Sequence, residues 1–359
     1  MQIKLKLVRL RYIYIYLLSL VLFLIFFSAT FTHAKTFKVS NLEISQPFLL
    51  NFDKNDVIDH GFKMAFANLI SMIATSNEKK KIKKIPLNVI KGLIDSFVIS
   101  NERFVNETYF ARLDVSFNKR NILYFLEKQN IFPSIPVKNK VLLIPIIIDS
   151  KKENVLLFSN NNLYKKWNEN KIDYHLLNYL LPSEDLEDLG MIQKNFNNIE
   201  NYDFKDLIKK YALEDHIILI IFKKENELRV LSKINFNNIL KIDNEIFSDV
   251  NLDGDNSLYL FIEKLKIKYE DKWKENNQIN TSIKLPILIS INSKKYLKIL
   301  ALENALNNLD FVSNFSILSF NSQNCLYKII YNGSTINFLN DMKKMNFDVI
   351  TEKKIWKIK

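Results

Sequence analysis

The residues best spaced to do chemistry are Asp249-Val250-Asn251-Leu252-Asp253-Gly254-Asp255. Asp249, Asn251, Asp253 and Asp255 put oxygen ligands at the first, third, fifth and seventh positions, and Gly254 takes the sixth, as in the first half of a calcium loop. The second half departs from that pattern. Its twelfth position, where a bidentate carboxylate closes the coordination shell, is Leu260, and its usually apolar eighth position is Asn256. The run is therefore a weak calcium-like loop. The simpler expectation is a polar turn whose Asp255 or Ser257 caps the helix that follows.

The other reactive residue types form no constellation. His60, His175 and His216 lie too far apart in sequence to make a metal pair. Asp215-His216 could supply half of an acid–base pair, but no Ser or Cys stands in a nucleophile elbow. Glu184, Asp185, Glu187 and Asp188 crowd one stretch after Pro182 and read as a solvated acidic loop. Gly61, Gly92, Gly190, Gly254 and Gly333 are too scattered to build a phosphate-cradling loop. Cys325 is the only cysteine; it sits in an alternating strand pattern and reads as a small buried residue. The expectation is a chain with no catalytic residues, no cofactor and no enzymatic activity.

Charge and the N-terminus bound the compartment. Lys4, Lys6, Arg9 and Arg11 precede an uncharged apolar run from Tyr12 to Phe27, followed by Ser28-Ala29-Thr30-Phe31-Thr32-His33-Ala34. Basic start, apolar middle and small residues at Thr32 and Ala34 are the parts of a signal segment cleaved after Ala34. If it is retained, residues 12–34 are long enough to anchor the chain in a bilayer, and these residues would be its only membrane contact. The flanking positives predict that the bulk is translocated to the periplasm in either case. Subtracting the four leader positives from the net +12 leaves +8. Lys dominates this charge; the only Arg residues beyond the leader are Arg103, Arg112, Arg120 and Arg229. Arg is the residue for bidentate phosphate and base contacts, so the composition points to no nucleic-acid partner.

Periodicity divides the rest into three small α/β units. Residues 35–150 carry a strand Phe37–Ile44, a helix Lys54–Ala74 and a lysine tract Lys79-Lys80-Lys81-Ile82-Lys83-Lys84 read as a solvated loop. A second helix, from Pro86 to Phe97, is followed by strands Phe97–Phe104 and Thr108–Phe117, a helix Asn118–Lys128 and a continuously apolar strand Val141–Ile148. Residues 151–280 hold a strand Val155–Phe158, helices near 163–169 and 204–211, the hairpin His216–Lys223 with Leu228–Ile234, and a long helix Ser257–Lys274. Residues 281–359 follow the order strand, helix, strand, strand, helix, strand: a βαββαβ ferredoxin-like unit of four antiparallel strands. Its helices are expected to bury Leu297, Leu300, Ala301, Ala305 and Leu309, then Ile336, Leu339, Met342 and Met345, with Ser334 as a cap and Phe347–Ile358 as the last strand.

Tyr109-Phe110-Ala111-Arg112-Leu113-Asp114-Val115-Ser116-Phe117, the helix with Ile122 and Leu126, and Val141-Leu142-Leu143-Ile144-Pro145-Ile146 together resemble the bacterial family called domain of unknown function 2066. Similarity continues through Pro182 to Asp188, Trp273, Tyr331-Asn332-Gly333 and Trp356; Gln129-Asn130 replace a usual Gly, and Phe132 a usual Trp. The resemblance implies an exported proteobacterial protein and carries no catalytic residues. The functional expectation is a non-catalytic scaffold or adaptor of the cell envelope that contacts other envelope proteins. The alternative is a binding module for a small ligand or wall polymer in a cleft between units.

Overall fold

A computed structural model describes residues 37–359 except Lys83, Ser150, Lys152, residues 170–173, Glu225, Asn226, residues 281–282 and Asp310. The expected signal segment, with its cleavage at Ala34, lies outside the described residues. The chain is mixed α/β, as the sequence predicts, and the strands among its described residues form three sheets. No described helix is long and apolar enough to cross a membrane.

The first sheet is antiparallel, with β1 (Phe37–Pro47) and β2 (Ile94–Val105) flanking β3 (Thr108–Phe117). In β3, Tyr109, Ala111, Leu113, Val115 and Phe117 alternate inward, the period-two signature of a half-buried strand. Helix α1 (Lys54–Ile73) lies on that face, started by Asp53, whose carboxylate accepts from the Asn55 N–H. Gly61 permits the close approach, since a Cβ there would stand 2.7 Å from Leu113 Cδ2. A short helix α2 (Ser76–Lys79) and a 3₁₀ turn Lys80–Ile82 follow, then α3 (Leu87–Leu93). The second helix is thus shorter than expected. It stops at Leu93 because Ile94 to Val105 pairs with β3 as an edge strand.

Helix α4 (Lys119–Lys128), capped by Asn118, leads into the second sheet. Its strands are β4 (Asn139–Asp149), β5 (Asn154–Leu156), β6 (Leu177–Leu180), β7 (His216–Lys224), β8 (Glu227–Phe236) and β9 (Ile239–Ser248), ordered β5-β4-β7-β8-β9 with β6 pairing β4. β4 is parallel to β6 and β7 and buried on both faces, which is why it reads as an unbroken apolar run. One face is covered by α5 (Asn162–Lys166) and the long α8 (Asp255–Asn276), the other by α6 (Leu186–Lys194) and α7 (Lys205–Lys209). Sequence reading missed β9, whose charged residues Lys241, Asp243 and Glu245 disguise an edge strand. It also missed β6 and α6. The acidic stretch expected to be a loop instead starts α6, because the Asp185 carboxylate accepts from the N–H groups of Glu187 and Asp188.

One apolar core takes residues from Phe37 to Ile279, and a second, on the opposite face of the β4–β7 sheet, takes residues from Leu142 to Leu231. The expected boundary at 150 therefore separates β4 from β5, two strands of one sheet, and not two cores. Residues beyond Lys284 have their own core. There β10 (Leu285–Asn292), α9 (Tyr296–Asn308), β11 (Val312–Phe320), β12 (Asn324–Tyr331) and α10 (Thr335–Lys344) give the predicted order. The sheet order β11-β12-β10-β14-β13 matches a ferredoxin-like unit over its first four strands. The end departs from it. The expected strand Phe347–Ile358 is broken into β13 (Val349–Ile350) and β14 (Trp356–Ile358), and β14 runs parallel to β10, not antiparallel. Exposed, charged Glu352-Lys353-Lys354 turn the chain back so that both Phe347 and Ile358 reach the core. The helix faces also differ from expectation. α9 buries Ile299, Leu302, Ala305 and Leu306 while Leu297 is exposed, and α10 buries Phe338 and Met342 while Ile336 is exposed. Ser334 caps α10 as predicted, and Cys325 is fully buried in β12.

Candidate functional site

The structure disperses the residues singled out in the sequence. Asp249 takes a left-handed backbone (φ 59°), Asn251 accepts from the Asp253 N–H, and Asp253 pairs with Lys223 at 3.3 Å. Gly254, not Asp255 or Ser257, is the N-cap of α8; Asp255 lies in the first turn, and the Ser257 hydroxyl accepts from the Asn251 N–H at 2.9 Å. Among the described residues, no group of three or more His, Cys, Asp or Glu side chains is gathered to hold a metal ion. Asp215 accepts from Asn237 N–H and Asn139 Nδ2, while His216 Nδ1 faces the Glu214 carbonyl, so the two side chains have separate partners. Asp185 and Asp188 both bind the Lys210 ammonium, at 2.9 and 2.7 Å, tying α6 to α7.

Two adjoining hollows lie around α2. The first is an apolar cavity of about 450 Å³, within the range typical of small-ligand sites, about 300–1,000 Å³. Phe66, Ala67 and Ile70 of α1 form one wall, and Ile82, Ile85 and Ile90 form the opposite wall. α2 closes one end. It is started by Thr75 in a capping box, with the Thr75 N–H donating to Glu78 and the Glu78 N–H donating back to the Thr75 hydroxyl. The lysine tract is thus helical from Lys79 to Ile82 and not a solvated loop: it carries the buried Ile82 into the wall, and Lys79, Lys80 and Lys84 line the lip.

That lip holds Lys63, Lys79, Lys80 and Lys84, and no acidic side chain lines the cavity among the described residues. Lys79 donates to the Ser71 hydroxyl and lies 5.6 Å from the Tyr174 ring centroid. Among the described residues Lys80 reaches only the amide oxygen of Asn77, at 3.3 Å. Lys84 holds a left-handed backbone, φ 69°.

The second hollow is small and polar, about 90 Å³, and shares Ser76 and Lys79 with the first. Glu270 and Lys274 reach it from successive turns of α8. Glu270 Oε1 accepts from the N–H groups of Leu176 and Leu177 at 2.8 and 2.7 Å, fixing the start of β6. Lys274 donates to the Ser71 carbonyl at 2.6 Å near the end of α1. Asp271 accepts from the Ser76 N–H at 2.8 Å and from its hydroxyl, tying α2 to α8. Burial raises the Glu270 carboxyl and lowers the Lys274 ammonium. Burial, aided by the charges of Lys266 and Lys274, lowers His175 to about 4, so it is neutral near pH 7.

Displaced titratable groups in a cleft are a common mark of active sites. Here the geometry gives them structural work instead, since Glu270, Asp271 and Lys274 each hold a backbone group of another element. Sequence reading found neither hollow. The available signal was Ile82, Ile85 and Ile90 interleaved with the lysines, a spacing that turns apolar side chains away from solvent while the charges stay out. No family model matches the chain, and no curated protein is significantly similar to it.

Proposed function

We propose that the chain is an exported, non-catalytic binding protein of the cell envelope, taking a small ligand in the cavity between α1, α2 and α3. The observation that supports this is the apolar cavity of about 450 Å³, walled by side chains of the main core and open at a polar lip. Apolar surface left open in this way is stabilised when a ligand removes it from water, by about 25 cal/mol per Å². The reading keeps the small-ligand alternative drawn from sequence and moves its site from a cleft between units to a pocket inside the first. Uptake of the neutral fluorophore N-phenyl-1-naphthylamine tests it. Fluorescence should rise on binding and be lost in Ala67→Trp, which fills the cavity from an exposed position. Equal uptake by both proteins overturns the reading. Export is tested by N-terminal sequencing of protein recovered from cells: a start at Lys35 indicates a cleaved, soluble protein, and an intact Met1 with membrane fractionation indicates an anchored one.

One observation favours a second reading, an adaptor that contacts other envelope proteins. β9 is an unbroken edge strand that exposes Leu240, Ile242 and Ile246 on one face. Such edges are templates for strand addition by a partner. Crosslinking from Ile242 in cells that recovers no neighbouring envelope protein would remove this reading.

A further inference from the structure

We infer that the cavity under the lysine tract takes a single-chain amphiphile with an anionic head, either a carboxylate or a phosphate. This rests on the binding reading above and adds the chemistry of the ligand. The two parts of the site make two different demands. Phe66, Ile70, Ile82 and Ile90 offer no hydrogen-bonding group, so the buried part of the ligand must be hydrocarbon, because a polar group there would lose its hydration without compensation.

The lip makes the opposite demand. Among the described residues Lys63, Lys80 and Lys84 form no ion pair, and no carboxylate lines the cavity between them. Elsewhere on this protein lysines commonly find acids, as Lys91 does with Asp59, Lys210 with Asp185 and Asp188, and Lys268 with Asp243 and Glu245. Ammonium groups gathered without acids repel one another and attract an anion to the mouth. A head seated there keeps its own water-facing side hydrated while its chain runs down between α1 and α3. A lone inorganic anion would leave the apolar walls wet, and a neutral lipid would leave the lysines unsatisfied. Only an anion attached to a hydrocarbon chain meets both demands.

Displacement of N-phenyl-1-naphthylamine from the full chain separates the parts of this proposal. Laurate and lauroyl lysophosphatidate should displace it at least about tenfold more tightly than neutral monolaurin, as expected of a few partly exposed ion pairs acting together. Inorganic phosphate alone should not displace it. The preference should shrink as salt rises, because exposed pairs are screened. In the triple variant Lys63→Gln, Lys80→Gln, Lys84→Gln it should fall to within about twofold, with monolaurin binding unchanged. Whichever of laurate and lysophosphatidate binds more tightly identifies the head. Equal binding of laurate, lysophosphatidate and monolaurin, insensitive to the triple variant, overturns the anionic head while leaving the apolar pocket standing. Displacement by inorganic phosphate at the same concentration as lysophosphatidate overturns the role of the chain. Failure of all the amphiphiles, with dye uptake unaffected by Ala67→Trp, overturns the pocket itself.

Discussion

The two hollows on either side of α2 hold similar side chains and put them to opposite uses. In the polar hollow, Lys274, Glu270 and Asp271 each engage the backbone of another element, and each is well buried or tied. At the apolar cavity the lysines are exposed, and none of the four has an acidic partner among the described residues. Perturbed ionisation thus marks the place where the fold is held together. On the proposed reading, ammonium charge without an acidic partner marks the place where a ligand is bound. Titration alone would have pointed to the polar hollow. Hydrogen bonds to the backbone of other elements separate the two.

The largest test of this contrast is Glu270→Ala. It strands the buried N–H groups of Leu176 and Leu177, and each orphaned donor costs about 1–3 kcal/mol, so a loss of about 3 kcal/mol is expected in urea unfolding. Glu270→Gln keeps an acceptor oxygen and should lose much less. The pair also has a pH signature. Burial raises the Glu270 carboxyl, so the folded chain holds that proton to higher pH than the unfolded chain does. The wild type should therefore lose stability relative to Glu270→Gln as pH rises through the raised value. A Glu270→Ala protein as stable as wild type would mean that the polar hollow is not structural, and the comparison would collapse.

His175 sharpens the same side with the opposite sign. Its folded value of about 4 lies below the ordinary 6.5, so the unfolded chain binds more protons between those values. Its contribution is complete above about pH 6.5 and is lost as pH falls through about 4. After discounting for its partial exposure, the wild type should lose about 1–2 kcal/mol more than His175→Asn between neutral and acid pH. Parallel urea midpoints for the two proteins would show this as a widening gap. Asp271→Ala comes next, at about 1 kcal/mol, because it removes the acceptor for the Ser76 N–H that holds α2 in place. It should also loosen the lysine lip, and dye displacement by laurate should weaken a few fold while monolaurin is unaffected.

The fold was more legible than the site, for a physical reason. Long segments with one dominant period, such as the stretch that forms α1 and the doubly buried β4, constrain themselves from sequence. Where apolar residues surround a helix, the buried face is set by the tertiary partner. Leu297, Ile299, Leu300 and Leu302 offer α9 two acceptable stripes, and the β10–β12 sheet selects the one with Ile299 and Leu302. β9 was missed because its charges pair inward with α8, Lys268 meeting Asp243 and Glu245, which a local alternation rule cannot anticipate. The cavity was invisible for the same reason at larger scale. Phe66 and Ile90 come from helices separated by the lysine tract, and only their packing shows that the space between them is left unfilled.

The smallest expected effect on stability is the most informative. Lys63→Gln, Lys80→Gln and Lys84→Gln together remove three exposed charges that pair with no acid among the described residues, so the unfolding free energy should stay within about 0.5 kcal/mol per site. Relief of their mutual repulsion could even make the sum slightly favourable. If the lysines instead braced the fold as Lys274 does, the triple variant would unfold at clearly lower urea, and the lip would belong with the polar hollow. A variant of unchanged stability that loses its preference for laurate over monolaurin would separate the two regions by function. Groups tied to the backbone of other elements would then maintain the structure, and lysines without an acidic partner would select what it binds.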